Sequence, residues 1–266
     1  MNIILIGHPR SGTNSLVEIL RCQPGLTVVN EPFCEEHASW NPSNSDYLAR
    51  LNSGESFSAL IDELFNKFNG IKELSYQLTG DTLRQLVHRP GVRVVTLRRR
   101  NLLQVAVSFL LAERTGIWKR WDADAPPAAD HFGTPYPAVG LERVGGHVAP
   151  SLNDRYQNLD PLEVDVVQDR MFWTAQEIAR IDEAVAGLET LQLVYEDLYL
   201  GTRESKQRQV ASLWKFLDLP HIDSSRIEFF LSDAVRQAGR ATYGQVPNIA
   251  KIEAALGSDM TGHLRF

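Results

Sequence analysis

The chain has 266 residues, 43% hydrophobic and 23% charged, with a formal net charge of −6 at pH 7. That length and apolar content support a sizeable core, and the acidic balance argues against nucleic acid or an anionic membrane surface as the main partner. The two cysteines, Cys22 and Cys34, make no disulfide framework and point to a reduced, cytoplasmic setting. No stretch approaches the ~20 apolar residues of a membrane span, and the apolar opening at residues 3–6 is too short for the hydrophobic region of a signal peptide.

The first predicted element is a strand over residues 2–6. It runs into Gly7-His8-Pro9-Arg10-Ser11-Gly12-Thr13-Asn14-Ser15 and a helical pattern over 11–21. Strand, glycine-bearing turn and helix is the arrangement that aims backbone N–H groups at a phosphate. Gly7 and Gly12 have the spacing of the ATP-binding loop G-x-x-x-x-G-K-[ST], but Thr13 stands at the lysine position and Arg10 is the loop's cation. An anionic group other than the triphosphate and magnesium of an ordinary NTPase is therefore expected there.

Residues 26–30 are strand-like and end in Asn30-Glu31-Pro32-Phe33. Helical patterns follow at 56–68 and 81–87, with Ile71-Lys72-Glu73-Leu74 between them leading into a helix. A second strand, 92–97, ends in Arg98-Arg99-Arg100-Asn101. Three successive arginines require negative charge nearby, or else form a solvated basic turn; Asn101 is a good cap for the helix predicted over 102–114. Residues 121–161, rich in Pro, Ala, Asp and Gly, make a stretch of about 40 residues, longer than an ordinary connection and read as either an acceptor-side lid or a mobile excursion. A helix over 167–187, a buried strand over 191–195 and a helix over 203–217 complete the pattern, with Trp173 and Trp214 read as core. Strands alternating with helices predict an α/β fold, three layers with a central parallel sheet, in a single domain over 1–266. Ligands in such folds sit beyond the carboxyl ends of the strands.

Pro9-Arg10-Ser11-Gly12-Thr13 resembles the 5′-phosphosulfate loop of the PAPS-dependent sulfotransferases. Arg100-Asn101 with Ser108, eight residues after Arg100, is similar to that family's 3′-phosphate element. Val194-Tyr195-Glu196-Asp197-Leu198 resembles its Y-E-D-L segment. The likeness spans most of the chain outside 121–161, and Gln104–Phe109 with Thr115-Gly116-Ile117-Trp118 most resembles the bacterial carbohydrate sulfotransferases. It implies a P-loop NTPase-like three-layer α/β/α fold, PAPS as donor, PAP as product and no metal. It further implies a hydroxyl-bearing small-molecule or carbohydrate acceptor, and a homodimer as one arrangement that related enzymes use. Two departures stand out: Arg10 replaces the loop lysine of many members, and Arg236-Gln237-Ala238-Gly239-Arg240 stands where animal members carry a glycine-rich C-terminal element, with Arg240 as its nucleotide contact.

Sulfuryl transfer to an alcohol needs an in-line approach, stabilisation of charge on the leaving phosphate and removal of the acceptor's proton. Arg10, Ser11, Gly12, Thr13, Asn14 and Ser15 suit the second need, and Arg10 can grip two oxygens at once. Thr13 reads equally well as an ordinary first helix residue. Glu31, in a Glu-Pro pair like that of the bacterial enzymes, is the implied general base, and Lys72 resembles a lysine placed near the transferred group. Without the resemblance, Glu31 is a surface residue opening a turn and Lys72 a solvated one. Glu35, Glu36 and His37 read as solvated or acceptor-side. Trp118, Trp121, Phe132 and Tyr136 read as an acceptor wall, and the scattered histidines lack metal-ligand spacing. Two alternatives remain at this point: a P-loop kinase or NTPase, which lacks its lysine here but has Glu196-Asp197 after a strand, and a non-catalytic nucleotide-binding member of the same fold.

Overall fold

A computed structural model describes residues 1–34, 42–115, 159–232 and 240–264, and the side chains of all of these but 42–45, 240 and 241. Five strands form one sheet: β1 (Asn2–Gly7), β2 (Val28–Asn30), β3 (Gly70–Leu74), β4 (Val92–Arg98) and β5 (Thr190–Val194). Their order is β2-β3-β1-β4-β5 and every pairing is parallel. All five carboxyl ends therefore lie along one edge, with β1 in the middle. The mixed α/β fold with a central parallel sheet is as the sequence predicted.

The helices are α1 (Thr13–Leu20), α2 (Pro42–Asn52), α3 (Phe57–Lys67), α4 (Gly80–Val87), α5 (Leu102–Thr115), α6 (Val164–Ala184), α7 (Arg203–Leu217), α8 (Ser225–Phe230), α9 (Arg240–Tyr243) and α10 (Ile249–Leu256). The chain divides into two compact units, one of Met1–Arg100 with Phe172–Leu231, the other of Asn101–Met171 with Ser232–Phe266.

In the first unit, alternation along the strands gives the sheet two buried faces, as a fully covered parallel sheet requires. Ile4, Ile6, Ile71 and Val94 pack with Leu60, Ile61 and Leu64 of α3, Leu83, Leu86 and Val87 of α4 and Ile181 of α6. The alternate residues Ile3, Leu5 and Val95 are equally buried. Thr79 caps α4 by accepting from Thr82 N–H, and Thr202 caps α7 by accepting from Ser205 N–H. In the second unit, Leu103, Ala106, Val107, Leu110 and Leu111 of α5 pack with Val167, Met171, Tyr243, Ile252 and Leu264. Asn101 Oδ1 accepts from Gln104 N–H at 2.9 Å, the cap expected for α5.

Three readings need correction. Lys72 lies in the middle of β3, a strand the sequence analysis passed over because a Lys-Glu pair interrupts its apolar run. β5 is an edge strand with only Leu193 buried, not the buried strand expected. Trp214 is core, at 1% exposure, but Trp173 is only half-buried and meets Tyr76 edge-on at 5.8 Å.

Candidate active site

The loop after β1 owes its shape to two glycines and a buried histidine. A Cβ on Gly7 would lie 2.5 Å from Thr13 Cγ2, so the strand must end in glycine for the loop to fold back. Gly12 has φ 92° and caps α1; a Cβ there would lie 2.8 Å from the Tyr199 ring and 2.9 Å from the Tyr195 ring. Arg10 also adopts a left-handed backbone, φ 65°, which a non-glycine residue keeps only where its surroundings impose it. The first bond of the helix ladder runs from Leu16 N–H to Gly12 C=O. The amides before it project from the helix N-terminus, where an anion is favoured.

Other elements hold the loop rigid. Ser11 Oγ donates to His8 C=O at 2.7 Å, so this predicted ligand spends its hydroxyl within the loop. Tyr199, in the π-helical turn Glu196–Leu200, donates to Gly12 C=O at 3.0 Å. His8 bridges Pro9 C=O at 2.9 Å through Nδ1 and Arg99 N–H at 3.1 Å through Nε2. That pair of partners defines the neutral tautomer with its proton on Nδ1.

Burial lowers the His8 pKa to about 4, assisted by the nearby charges of Arg99 and Arg98. The unfolded chain takes up this proton near pH 6.5 and the folded chain does not, so His8 subtracts stability as the pH falls below 6.5 and stops doing so below about 4. Between pH 7 and pH 5 the loss from this group is about 2 kcal/mol. Urea unfolding at both values, compared with His8→Gln, checks it: the substituted chain is expected to lack that part of the pH slope, and an unchanged slope would contradict the assignment.

The three arginines after β4 have three fates. Arg98 pairs with Asp182 at 2.5 Å. Arg100, 60% exposed, pairs with Asp197 at 2.5 Å and approaches Glu196 at 3.8 Å. Arg99 is buried, lies 4.2 Å above the Tyr195 ring and approaches Arg10 C=O at 3.5 Å. The negative charge that the sequence demanded of its surroundings is thus supplied largely by the protein's own carboxylates.

On the other side of β1, Glu31 and Lys72 form a buried ion pair, their side chains 6% and 1% exposed. Lys72 Nζ donates to Glu31 Oε1, and Gln77 Nε2 donates to Oε2 at 2.7 Å. The register sets Lys72 beside Leu5 of β1 and Asn30 of β2. Lys72 therefore stands one strand spacing, about 4.8 Å, from the strand that carries the loop. Glu31 is held left-handed, φ 53°, with its N–H donated to Lys72 C=O at 2.7 Å.

Of the predicted site residues, Arg10 to Ser15 follow β1, Glu31 follows β2 and Arg100 follows β4, all at the carboxyl edge of the sheet, while Lys72 reaches Glu31 from two residues inside β3. Thr13 is the first residue of α1; it and Ser15 are buried, while Asn14 is half-buried with its Oδ1 lacking a hydrogen-bond partner. Ser108 is buried on α5 in the second unit. Arg240 opens α9, its side chain outside the described residues, as are Glu35, Glu36, His37, His131, His147, Trp118, Trp121, Phe132, Tyr136 and nearly all of 121–161. Gln77, Glu73 and Arg99 escaped the sequence analysis; the one signal for Glu73 was a charge pair inside an otherwise apolar pentapeptide. Among the described residues no three metal-ligating side chains converge and no helix is long and apolar enough to cross a membrane.

No protein-family model matches the chain, and no curated protein matches it. Among solved structures it is similar to the sulfotransferase domain from the curacin biosynthetic pathway, at 13% identity and a TM-score of 0.41, over 85% of this chain and 76% of that one. It is also similar to a sulfotransferase from Alicyclobacillus acidocaldarius, at 15% identity and a TM-score of 0.43, over 98% of this chain and 97% of that one.

Proposed function

We propose that this chain is a sulfotransferase that moves a sulfuryl group from PAPS to a hydroxyl of a carbohydrate or glycosylated acceptor. One observation carries the reading. A phosphate-loop-like turn without the ATPase lysine follows β1 at the same sheet edge as Glu31, whose buried carboxylate pairs with the ammonium of Lys72 on the neighbouring strand β3. The loop provides for a leaving phosphate, and the pair provides a proton acceptor with a cation beside it.

In this reading the acceptor oxygen attacks sulfur in line with the bond to the 5′-phosphate, which breaks as the new S–O bond forms. The proton of the acceptor hydroxyl passes to the Glu31 carboxylate. The departing PAP takes the electron pair of the broken bond, and the N-terminal amides of α1 with Arg10 stabilise that charge, at about 3 kcal/mol of barrier for a well-placed donor. Once protonated, Glu31 no longer holds Lys72 by charge, and the ammonium is released toward the sulfuryl oxygens at the moment their charge shifts. Arg100 binds the 3′-phosphate, and the nucleotide roles of Ser108 and Arg240 rest on the resemblance alone. Arg100 must then exchange Asp197 for phosphate, an exposed pair worth at most about 1 kcal/mol and readily given up.

Calorimetric titration with PAP, with ATP–magnesium as the control, tests the donor site. PAP is expected to bind in the micromolar range and Arg100→Ala to weaken it about tenfold or more, the loss of a charge-assisted phosphate contact. Binding of ATP–magnesium without PAP would overturn the reading in favour of an NTPase.

A further inference from the structure

The turn that carries Glu31 is an unusual place for a glutamate. Cys34 N–H closes a β-turn onto Glu31 C=O at 3.2 Å, Pro32 has no N–H to offer, and Glu31 itself sits at φ 53°. An L residue is strained in that backbone, so neighbouring contacts must enforce it. Two are already described: Glu31 N–H to Lys72 C=O, and the turn bond itself. That leaves the N–H of Phe33, a residue 2% exposed whose ring is locked against Phe57 at 5.1 Å and Tyr47 at 6.4 Å. A buried amide of this kind needs an acceptor.

The acceptor is Glu73. It is 0% exposed, and its Oε1 takes the Phe33 N–H at 3.0 Å. Its Oε2 is buried without a hydrogen-bond partner. Neighbouring Lys72 is committed to Glu31 and, by strand alternation, stands on the opposite face of β3. A charged carboxylate with one bare oxygen in an apolar layer is a poor arrangement; the neutral acid still leaves that position without a partner but buries no charge, which costs far less.

We infer that Glu73 is a positioning residue: a buried carboxyl group that accepts the Phe33 N–H and so clamps the Glu31-Pro32-Phe33 turn in the conformation that presents the Glu31 carboxylate to Lys72. Burial raises the Glu73 pKa well above the ordinary carboxyl value, against the opposing pull of the Phe33 N–H bond and with a smaller push from the charge of Glu31. The role of the turn in catalysis rests on the sulfotransferase reading; the clamp itself does not.

The test uses the full chain and separates the two. Cys34 ends the turn, is 3% exposed and, with Cys22 replaced by Ala, is the sole thiol. Its labelling by a water-soluble disulfide reagent therefore reports on the turn without any substrate. Glu73→Gln keeps the acceptor oxygen and the neutral shape, and is expected to label at the parental rate. Glu73→Met removes the acceptor and Glu73→Asp withdraws it by one methylene; both are expected to label at least about tenfold faster under native conditions, as local opening of the turn becomes easier. Parental labelling in Glu73→Met, or in Glu73→Asp should the methionine variant not fold, overturns the clamp. So does fast labelling in Glu73→Gln. With PAPS and an acceptor, Glu73→Asp is expected to lose about 100-fold in kcat while its PAP affinity stays within about twofold, because a displaced base is costly to the chemical step alone. Faster labelling in a chain that binds no PAP would keep the clamp and reject the sulfotransferase reading.

Discussion

Glu31→Gln is expected to lower sulfuryl transfer by about 10²–10⁴-fold, the range of a positioned general base, with PAP affinity essentially unchanged. The substitution is a narrow one in this site. A glutamine keeps an oxygen for the Lys72 ammonium at Oε1, and Gln77 can turn its amide to meet the new NH₂ at the other position. What disappears is the capacity to take a proton. Neither the loop backbone nor Arg10 is altered, so the donor nucleotide binds as before. Single-turnover measurements with PAPS and a carbohydrate acceptor, beside calorimetry with PAP, make the comparison. A variant that retains kcat to within about threefold would remove Glu31 from the mechanism, since a true base cannot be dispensed with at that level. Loss of PAP binding together with activity would instead make the carboxylate part of the donor site.

The sheet was legible because its two central strands state their environment plainly. Ile3-Ile4-Leu5-Ile6 and the valines of β4 are apolar on both faces, as buried parallel strands must be, and each runs into a polar turn. β3 was not legible, for a physical reason: Lys72 and Glu73 are buried in opposite faces of the sheet, and each is tolerable only through a partner far away in sequence, Glu31 for the one and Phe33 N–H for the other. A strand pattern read locally counts such residues as exposed. The loop was legible from glycine spacing alone, whereas the tyrosines that brace Gly12 come from residues 195 and 199 and enter only through the fold. The arginines show the same limit in reverse. Their charge predicted an anion nearby, but whether a ligand or the protein supplies it depends on Asp182 and Asp197, which only the tertiary structure places beside them.

Lys72→Met is expected to destabilise the fold by about 3–5 kcal/mol, the cost of removing one member of a buried ion pair and leaving the other charged. The size follows from the burial of both groups. With Lys72 gone, the Glu31 carboxylate, 6% exposed, has Gln77 as its remaining side-chain donor among the described contacts. The double variant Glu31→Gln/Lys72→Met removes both charges and is expected to recover much of the loss, giving a coupling energy of about 2–3 kcal/mol in a double-mutant cycle by urea unfolding. Additive losses would mean that the two side chains do not depend on each other in the folded chain, and the site would lose its paired base and cation together. The expected recovery has a functional counterpart. The double variant is expected to fold well yet to transfer no sulfuryl group above background, because glutamine in place of Glu31 can satisfy its neighbours but cannot take a proton. A pair that stability alone would exchange for hydrophobic residues, at the carboxyl edge beside an anion loop, is then kept for its chemistry.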